Sequence, residues 1–447
     1  MANPETIAAV ATPPGMGGVG IVRVSGSDLA SILAAILSRQ PKKRVATQAD
    51  FLGSDGSVID NGLALYFQGP HSYTGEDVLE LQGHGGPVVM HMLLRRCLEL
   101  GARIAEPGEF TRRAFLNGKL DLAQAEAVAD VIAAESESAV RCAIRSLRGE
   151  FSDSVNDIDR NLLELRTYVE ATLDFPEEDI DRSDRAEIDA RLSRLVDQLA
   201  LTLEKTRQGS ILRNGVTAVL AGRPNVGKSS LMNRLAGEEI SIVTAVPGTT
   251  RDALKHSINL GGIPFHFVDT AGLRETSDEV ESIGIRKSWK SIEDADIVLF
   301  VVDASRGWTD EDDALLERLP ARLPTIVIFN KVDLVDSSVI ENARITSSHA
   351  VWVSARTGNG IDRLIEIART VCGLTSPAED VFLGRARHLE ALQTSLSALV
   401  RARNLVDAPE LMAEELRSAH RAFGTITGQI SADDLLGEIF SSFCIGK

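Results

Sequence analysis

The segment GRPNVGKS, Gly222 to Ser229, fits the pattern G-x-x-x-x-G-K-[ST]. It lies between an apolar run, Val216 to Ala221, that reads as a buried strand, and Ser230 to Leu235, which reads as helix. A turn in that setting points successive backbone N–H groups inward at a helix N-terminus, where they can cradle phosphate oxygens. Lys228 is then placed to reach the β- and γ-phosphates, and the Ser229 hydroxyl to ligate magnesium.

Four further segments, PGTTRD, DTAG, NKVD and SAR, follow in that order and end at Arg356. Asp269 closes the apolar stretch Phe265 to Val268 and would hold the magnesium shell, while Gly272 would offer its N–H to the γ-phosphate. Thr250 would give magnesium a second hydroxyl. Asn330 and Asp333 follow the strand expected at Thr325 to Phe329. A carboxylate there can accept both the N1 proton and the exocyclic amine of guanine, a pair that adenine does not supply. The residues expected around GTP are therefore Asn225, Val226, Gly227, Lys228, Ser229 and Ser230; Thr244, Ala245, Val246, Pro247, Gly248, Thr249 and Thr250; Asp269, Thr270, Ala271 and Gly272; Asn330, Lys331 and Asp333; and Ser354, Ala355 and Arg356. Taken in order, they are the parts of a guanine-nucleotide hydrolase.

One part is missing. Where a Gln would orient the attacking water after DTAG, this chain has Leu273, which cannot polarise water. Catalysis must draw on another carboxylate or amide, on an ion, or on a partner. The side-chain carbonyl of Asn225 could help bind a monovalent cation beside the phosphates; alternatively it stabilises the loop and no more.

These segments need elements to position them. The 447 residues suggest about three domains, and 44% apolar with 25% charged residues is ordinary for sizeable cores. The N-terminus has no basic region before an apolar one, so it does not read as a secretory signal. The longest apolar runs, such as Ile297 to Val302, are too short to span a bilayer. Cys97, Cys142, Cys372 and Cys444 lack C-x-x-C spacing, which fits a reducing, cytoplasmic setting. A net charge of −17 argues against gripping nucleic acid by a general surface field, so any RNA contact is local or delegated.

Residues 1–118 mix short strand patterns (Ile7 to Ala11, Gly20 to Val24, Leu63 to Phe67, Val78 to Leu81) with one helix near Pro87 to Leu100, an α+β reading. From 119 to 214 the chain reads as helical. Leu147, Phe151, Val155, Ile158, Leu162, Leu165 and Val169 form one apolar stripe, FPEED (Phe175 to Asp179) interrupts it, and helix resumes through Leu203. Residues 215–373 alternate strands and helices in the βαβ manner of a mostly parallel sheet, the Ras-like P-loop GTPase fold. Helical patterning returns over 374–447, so the GTPase domain would be inserted into a helical-bundle domain.

ATPPGMGGVGIVRVSG (Ala11 to Gly26), EPGEFTRRAFLNGKLDLAQAEAVADVI (Glu106 to Ile132), the GTPase segments and a terminal CIGK (Cys444 to Lys447) together resemble the MnmE, or TrmE, family of tRNA wobble-uridine modification GTPases, over essentially the whole chain. The resemblance implies an N-terminal α+β domain that binds folate and joins two chains as a homodimer. It implies a partner, the FAD-dependent subunit MnmG (GidA), in a heterotetramer, FAD residing only in that partner. Together they would add an aminomethyl or carboxymethylaminomethyl group to C5 of uridine 34 of certain tRNAs. The one-carbon unit would come from 5-formyltetrahydrofolate or methylenetetrahydrofolate.

By matching motif, the resemblance assigns the folate site to Arg23, Glu80, Lys119 and Lys447. A pterin offers donors to a carboxylate, and its anionic glutamate tail suits Arg and Lys; taken singly, each is a solvated surface charge. Met16 stands where the family commonly has Arg. Cys444 would be catalytic, placed to reach the folate region. Potassium would be held by Asn225 and Thr249 with the carbonyls of Thr244 and Val246, and Glu281 would orient the water, so that Glu281, Asn225, Lys228 and Cys444 make up the catalytic set. The GTPase segments alone equally fit a second class, a GTP-dependent ribosome-assembly or signalling switch without one-carbon chemistry.

Overall fold

The computed structural model describes residues 5–174, 182–238, 256–269, 295–336, 349–375, 380–428, 433–441, 443 and 446. Thr244 to Thr250, Thr270 to Leu273, Glu281, Cys444, Lys447 and the FPEED segment lie outside them. The chain divides into two compact units, one of residues 1–129, 147–180 and 404–447, the other of 130–146 and 181–403.

The first unit holds a six-stranded sheet in the order β3-β4-β5-β2-β1-β6, from β1 (Ile7–Val10), β2 (Gly17–Gly26), β3 (Thr47–Leu52), β4 (Val58–Phe67), β5 (Asp77–Gly85) and β6 (Arg103–Ile104). All neighbours are antiparallel except β1 and β6. Alternating residues of β2 and β5, among them Val22, Val24, Leu79 and Leu81, face a core closed by α1 (Ala30–Ile36) and α2 (Pro87–Glu99). The short α3 (Glu109–Leu116) is tied to the sheet through charge. Arg113 bonds Glu76, Glu109 and the Glu5 carbonyl, and Arg103 bonds Glu109 and Glu5. Burial would raise the Glu109 carboxyl, but hydrogen bonds from Arg103, the Glu106 N–H and Arg113 outweigh it and hold its pKa at about 2.

Also in this unit, α6 (Glu150–Asp174) packs on α12 (Pro409–Thr427). Phe151, Val155, Ile158, Leu162, Leu165 and Val169 of the expected stripe are buried. Leu147 is not part of that helix: it ends α5 (Glu137–Leu147), because Gly149, at φ +96°, starts a new one. The 3.6-residue pattern runs across that break, so periodicity alone could not see it.

In the second unit the sheet order is β12-β11-β10-β7-β9-β8, formed by β7 (Val216–Ala221), β8 (His256–Leu260), β9 (Ile263–Asp269), β10 (Ile297–Asp303), β11 (Thr325–Asn330) and β12 (Ala350–Trp352). Five strands are parallel and β8 is an antiparallel edge. Every residue of β10 is buried, as a strand covered on both faces requires. The helices α8 (Lys228–Glu238), α9 (Asp310–Glu317) and α10 (Ile361–Val371) accompany it. A long α7 (Arg182–Asn214) passes the expected end at Leu203 and pairs with α11 (Ala386–Arg403). Asp130 bonds both Arg213 and Arg385.

Burial pushes the thiols up, to about 12 for Cys97, about 11 for Cys142 and about 12 for the half-buried Cys372, which keeps them as weakly nucleophilic thiols. No helix among the described residues is long and apolar enough to cross a membrane.

Candidate guanine-nucleotide and N-terminal sites

β7 lies between β9 and β10, where the strand order reverses, and open parallel sheets bind ligands beyond the carboxyl ends of strands at such a point. The phosphate loop leaves β7 there and enters α8. Its two glycines are set by contact. A Cβ on Gly222 would stand 2.2 Å from the Val301 carbonyl oxygen, and one on Gly227 would stand 2.3 Å from the Asn330 side-chain nitrogen. Both backbones are also at positive φ, +136° and +100°. Asn225 adopts φ +63°, a conformation Asn tolerates better than most residues. Lys228 folds back to donate to the carbonyls of Gly222 and Arg223, at 2.5 and 2.9 Å. Val226 is buried, while Ser229 and Ser230 are exposed in the first turn of α8.

Asn330, 1% exposed, joins the phosphate loop to the SAR segment. Its Nδ2 donates to the Val226 carbonyl at 3.0 Å and its Oδ1 accepts from the Ala355 N–H at 3.0 Å. Lys331, at φ +70°, donates to the Asn225 carbonyl and to Asp303 Oδ2. Asp333 lies in a single 3₁₀ turn, Val332–Leu334, where it accepts from Ser354 Oγ at 2.7 Å and faces Arg356 at 3.9 Å. Arg234 donates to the carbonyls of Ala355 and Arg356. The described residues of the phosphate, NKVD and SAR segments thus form one connected site. The backbone of Asp269 ends β9 beside β7.

Sequence reasoning missed Asp303. Burial would raise its carboxyl, but hydrogen bonds from Lys331 and from the Ser305 hydroxyl and N–H hold it below the usual range. Its signal was an Asp closing the wholly apolar run IVLFVV. Arg223 was likewise unassigned. It pairs with Glu311 at 2.8 Å and Asp312 at 3.1 Å at the start of α9.

In the first unit, Arg23 of β2 and Glu80 of β5 are register partners in adjacent strands. The guanidinium bonds Glu80 Oε1 from Nε at 3.0 Å and lies 2.9 Å from it at NH2, with side chains 21% and 15% exposed. It also stands over the rings of Tyr73 and Phe110, 5.6 and 5.7 Å from their centroids, and donates to the Gly446 carbonyl at 3.3 Å. Lys119 is separate from that pair. It donates to the Pro70 carbonyl, on the loop that carries Tyr73. Met16 is 93% exposed ahead of β2.

This sheet order, with a glycine-bounded phosphate loop at its switch point and a carboxylate beyond β11, defines a P-loop GTPase. Residues 6–119 match the family model of the GTP-binding protein TrmE N-terminus, and residues 122–444 match that of the MnmE helical domain. The chain is 56% identical to the tRNA modification GTPase MnmE of Dechloromonas aromatica, over 99% of both chains. To the protein of the same name from Azoarcus sp. it is 54% identical, over 99% of this chain and 98% of that one. Among solved structures, Aquifex aeolicus Era bound to GDP.AlF4- matches 41% of this chain and 66% of its own, at 28% identity and a TM-score of 0.28. The chain belongs to the MnmE family.

Proposed function

We propose that this chain is the GTP-hydrolysing subunit of a tRNA-modifying complex. With an FAD-dependent partner of the MnmG type, it adds an aminomethyl or carboxymethylaminomethyl group to C5 of the wobble uridine, using a tetrahydrofolate one-carbon donor. It works as a cytoplasmic homodimer joined through an N-terminal domain (1–118). Its helical domain (119–214 and 374–447) carries the GTPase domain (215–373) as an insertion.

The observation that carries the reading is the coexistence, in one chain similar end to end to the family, of the Asn330–Asp333–Ser354 base site and the Arg23–Glu80 pair. The donor sets fit the ligands. The Asp333 carboxylate suits the two donors of guanine. Exposed Ser229, in the first turn of a helix, suits magnesium beside phosphate, with Thr250 and Asp269 completing its shell. Asn225 is exposed within the phosphate loop and suits potassium, whose charge would stabilise the phosphates as bonds break, Thr244, Val246 and Thr249 giving the other ligands. Glu281 orients the water that Leu273 cannot. Glu80, paired with an Arg23 guanidinium that stands over Tyr73, suits a pterin, and Lys119 suits the anionic tail, with Lys447 joining them and Cys444 acting nearby.

Nucleoside analysis of tRNA from cells lacking this chain tests the reading. Loss of the C5 modification on the wobble uridine is expected. Unaltered tRNA alongside defective ribosome assembly would favour the assembly-switch class instead.

A further inference from the structure

The loop from Gln68 to Glu76 is bracketed by cations from three parts of the chain. Arg23 stands over Tyr73, Lys119 donates to the Pro70 carbonyl, and the Arg44 guanidinium donates to the carbonyl of the next residue, His71. Carbonyls of neighbouring residues are only a few ångströms apart, so Arg44 and Lys119 meet the loop at successive residues. Arg44 belongs to a turn between α1 and β3 that contains Arg39, Lys42 and Lys43, all exposed. The turn is held to the sheet by the Arg44 N–H bonding the Tyr66 carbonyl and by the bridge between Lys43 and Tyr66.

These four cations have no ion pair with any described residue. Several other cations of the same unit do: Arg23 with Glu80, Arg96 with Glu99, Arg103 and Arg113 with Glu109, and Arg417 with Glu170; what sets the turn apart is four such cations within six residues. None of the neighbouring carboxylates pairs with these cations: Glu76 is taken by Arg113, while Asp77 accepts from the Tyr66 hydroxyl and the Gly69 N–H and Asp50 from Asn61. In a chain of net charge −17, four exposed cations without a counter-ion, beside a lysine read as a tail anchor, mark a place for an anion supplied from outside.

We infer that Arg44, Lys43, Lys42 and Arg39 extend the Lys119 position into a track for a poly-γ-glutamyl tail, so that the chain takes its folate in the polyglutamylated form. This rests on the folate reading of Arg23, Glu80 and Lys119. Each γ-glutamyl unit adds one carboxylate to a flexible strand, and the turn offers exposed cations in succession beyond the first carboxylate. A nucleic-acid backbone would meet the same charges. The tail is favoured because Lys119 and Arg44 hold carbonyls of adjacent residues on the loop that also carries Tyr73.

The test is calorimetry with the full-length chain and 5-formyltetrahydrofolate bearing either one or five γ-glutamyl residues, at two salt concentrations. Four exposed ion pairs of ordinary strength predict that the longer tail binds about 10-fold more tightly, with the gain shrinking at high salt. In Lys42→Gln/Lys43→Gln that gain should fall to about 3-fold or less, GTP hydrolysis serving as the control for folding. Equal affinity for both forms, or a gain that survives the double substitution, overturns the inference. If neither form binds, the folate reading beneath it is overturned. A double variant that keeps the gain but loses affinity for tRNA assigns the turn to nucleic acid and overturns it as well.

Discussion

The two sites of this chain are built on opposite plans. The nucleotide site gathers loops at the ends of parallel strands, so its parts are short, contiguous segments whose backbone conformation is prescribed by Gly222, Asn225 and Gly227. The N-terminal site is drawn from the middle of antiparallel strands. Arg23 and Glu80 are 57 residues apart in the chain but opposite each other in register, and Gly446 reaches Arg23 from the far end of the chain. Backbone amides and short loops make a site that can be read as a string; cross-strand side chains make one that exists only once the strands have paired.

The comparison is broken most directly at the base reader. Asp333→Asn removes a carboxylate expected to take two charge-assisted hydrogen bonds from guanine. GTP affinity should fall about 10²- to 10⁴-fold while xanthosine triphosphate, whose C2 oxygen accepts from an amide, gains. Unchanged preference in a nucleotide competition assay would remove NKVD as the base reader.

Potassium probes the other end of the same site. If Asn225 helps hold a cation against the phosphates, potassium but not sodium should speed hydrolysis, and Asn225→Ala should lose about 10²-fold of that response while still binding GTP. Equal steady-state rates in the two salts would return Asn225 to a loop-stabilising role.

The first unit has a vulnerability of its own in acid. Glu109 has its pKa depressed to about 2 from 4.5, so its contribution to stability is complete above about pH 4.5 and is lost as pH falls toward 2. The size is about 2 to 3 kcal/mol, because the carboxyl is buried against Arg103 and Arg113. Denaturant unfolding of the wild type and Glu109→Gln should therefore differ at pH 6 and converge near pH 2. A difference independent of pH would mean that packing, not charge, holds α3.

The smallest effect is expected at the cross-strand pair. Glu80→Ala should weaken folate binding about 10-fold, one charge-assisted hydrogen bond's worth, and leave GTP hydrolysis nearly unaltered. Unaltered folate affinity in calorimetry would take Glu80 out of the site.

Much of the second unit was legible because its signals are local. A buried parallel strand is a run of apolar residues, and a phosphate loop needs glycine wherever a Cβ would strike Val301 or Asn330, so β7, β9, β11 and the loop after β7 follow from the string. The identities of Asn330, Asp333 and Ser354 were equally plain. That Asn330 is a buried brace between the phosphate loop and the SAR segment, with Asp303 fixing Lys331 behind it, depended on which strand ends lie side by side. The break that separates Leu147 from the stripe of α6 is local, at Gly149, but tertiary packing alone set the pairing of α7 with α11. It brought Arg44 and Lys119 to adjacent carbonyls although 75 residues part them in the chain. Composition and periodicity report what each residue does to its own segment, whereas a charge finds its counter-charge, or is left without one, only when distant strands and loops have been packed together.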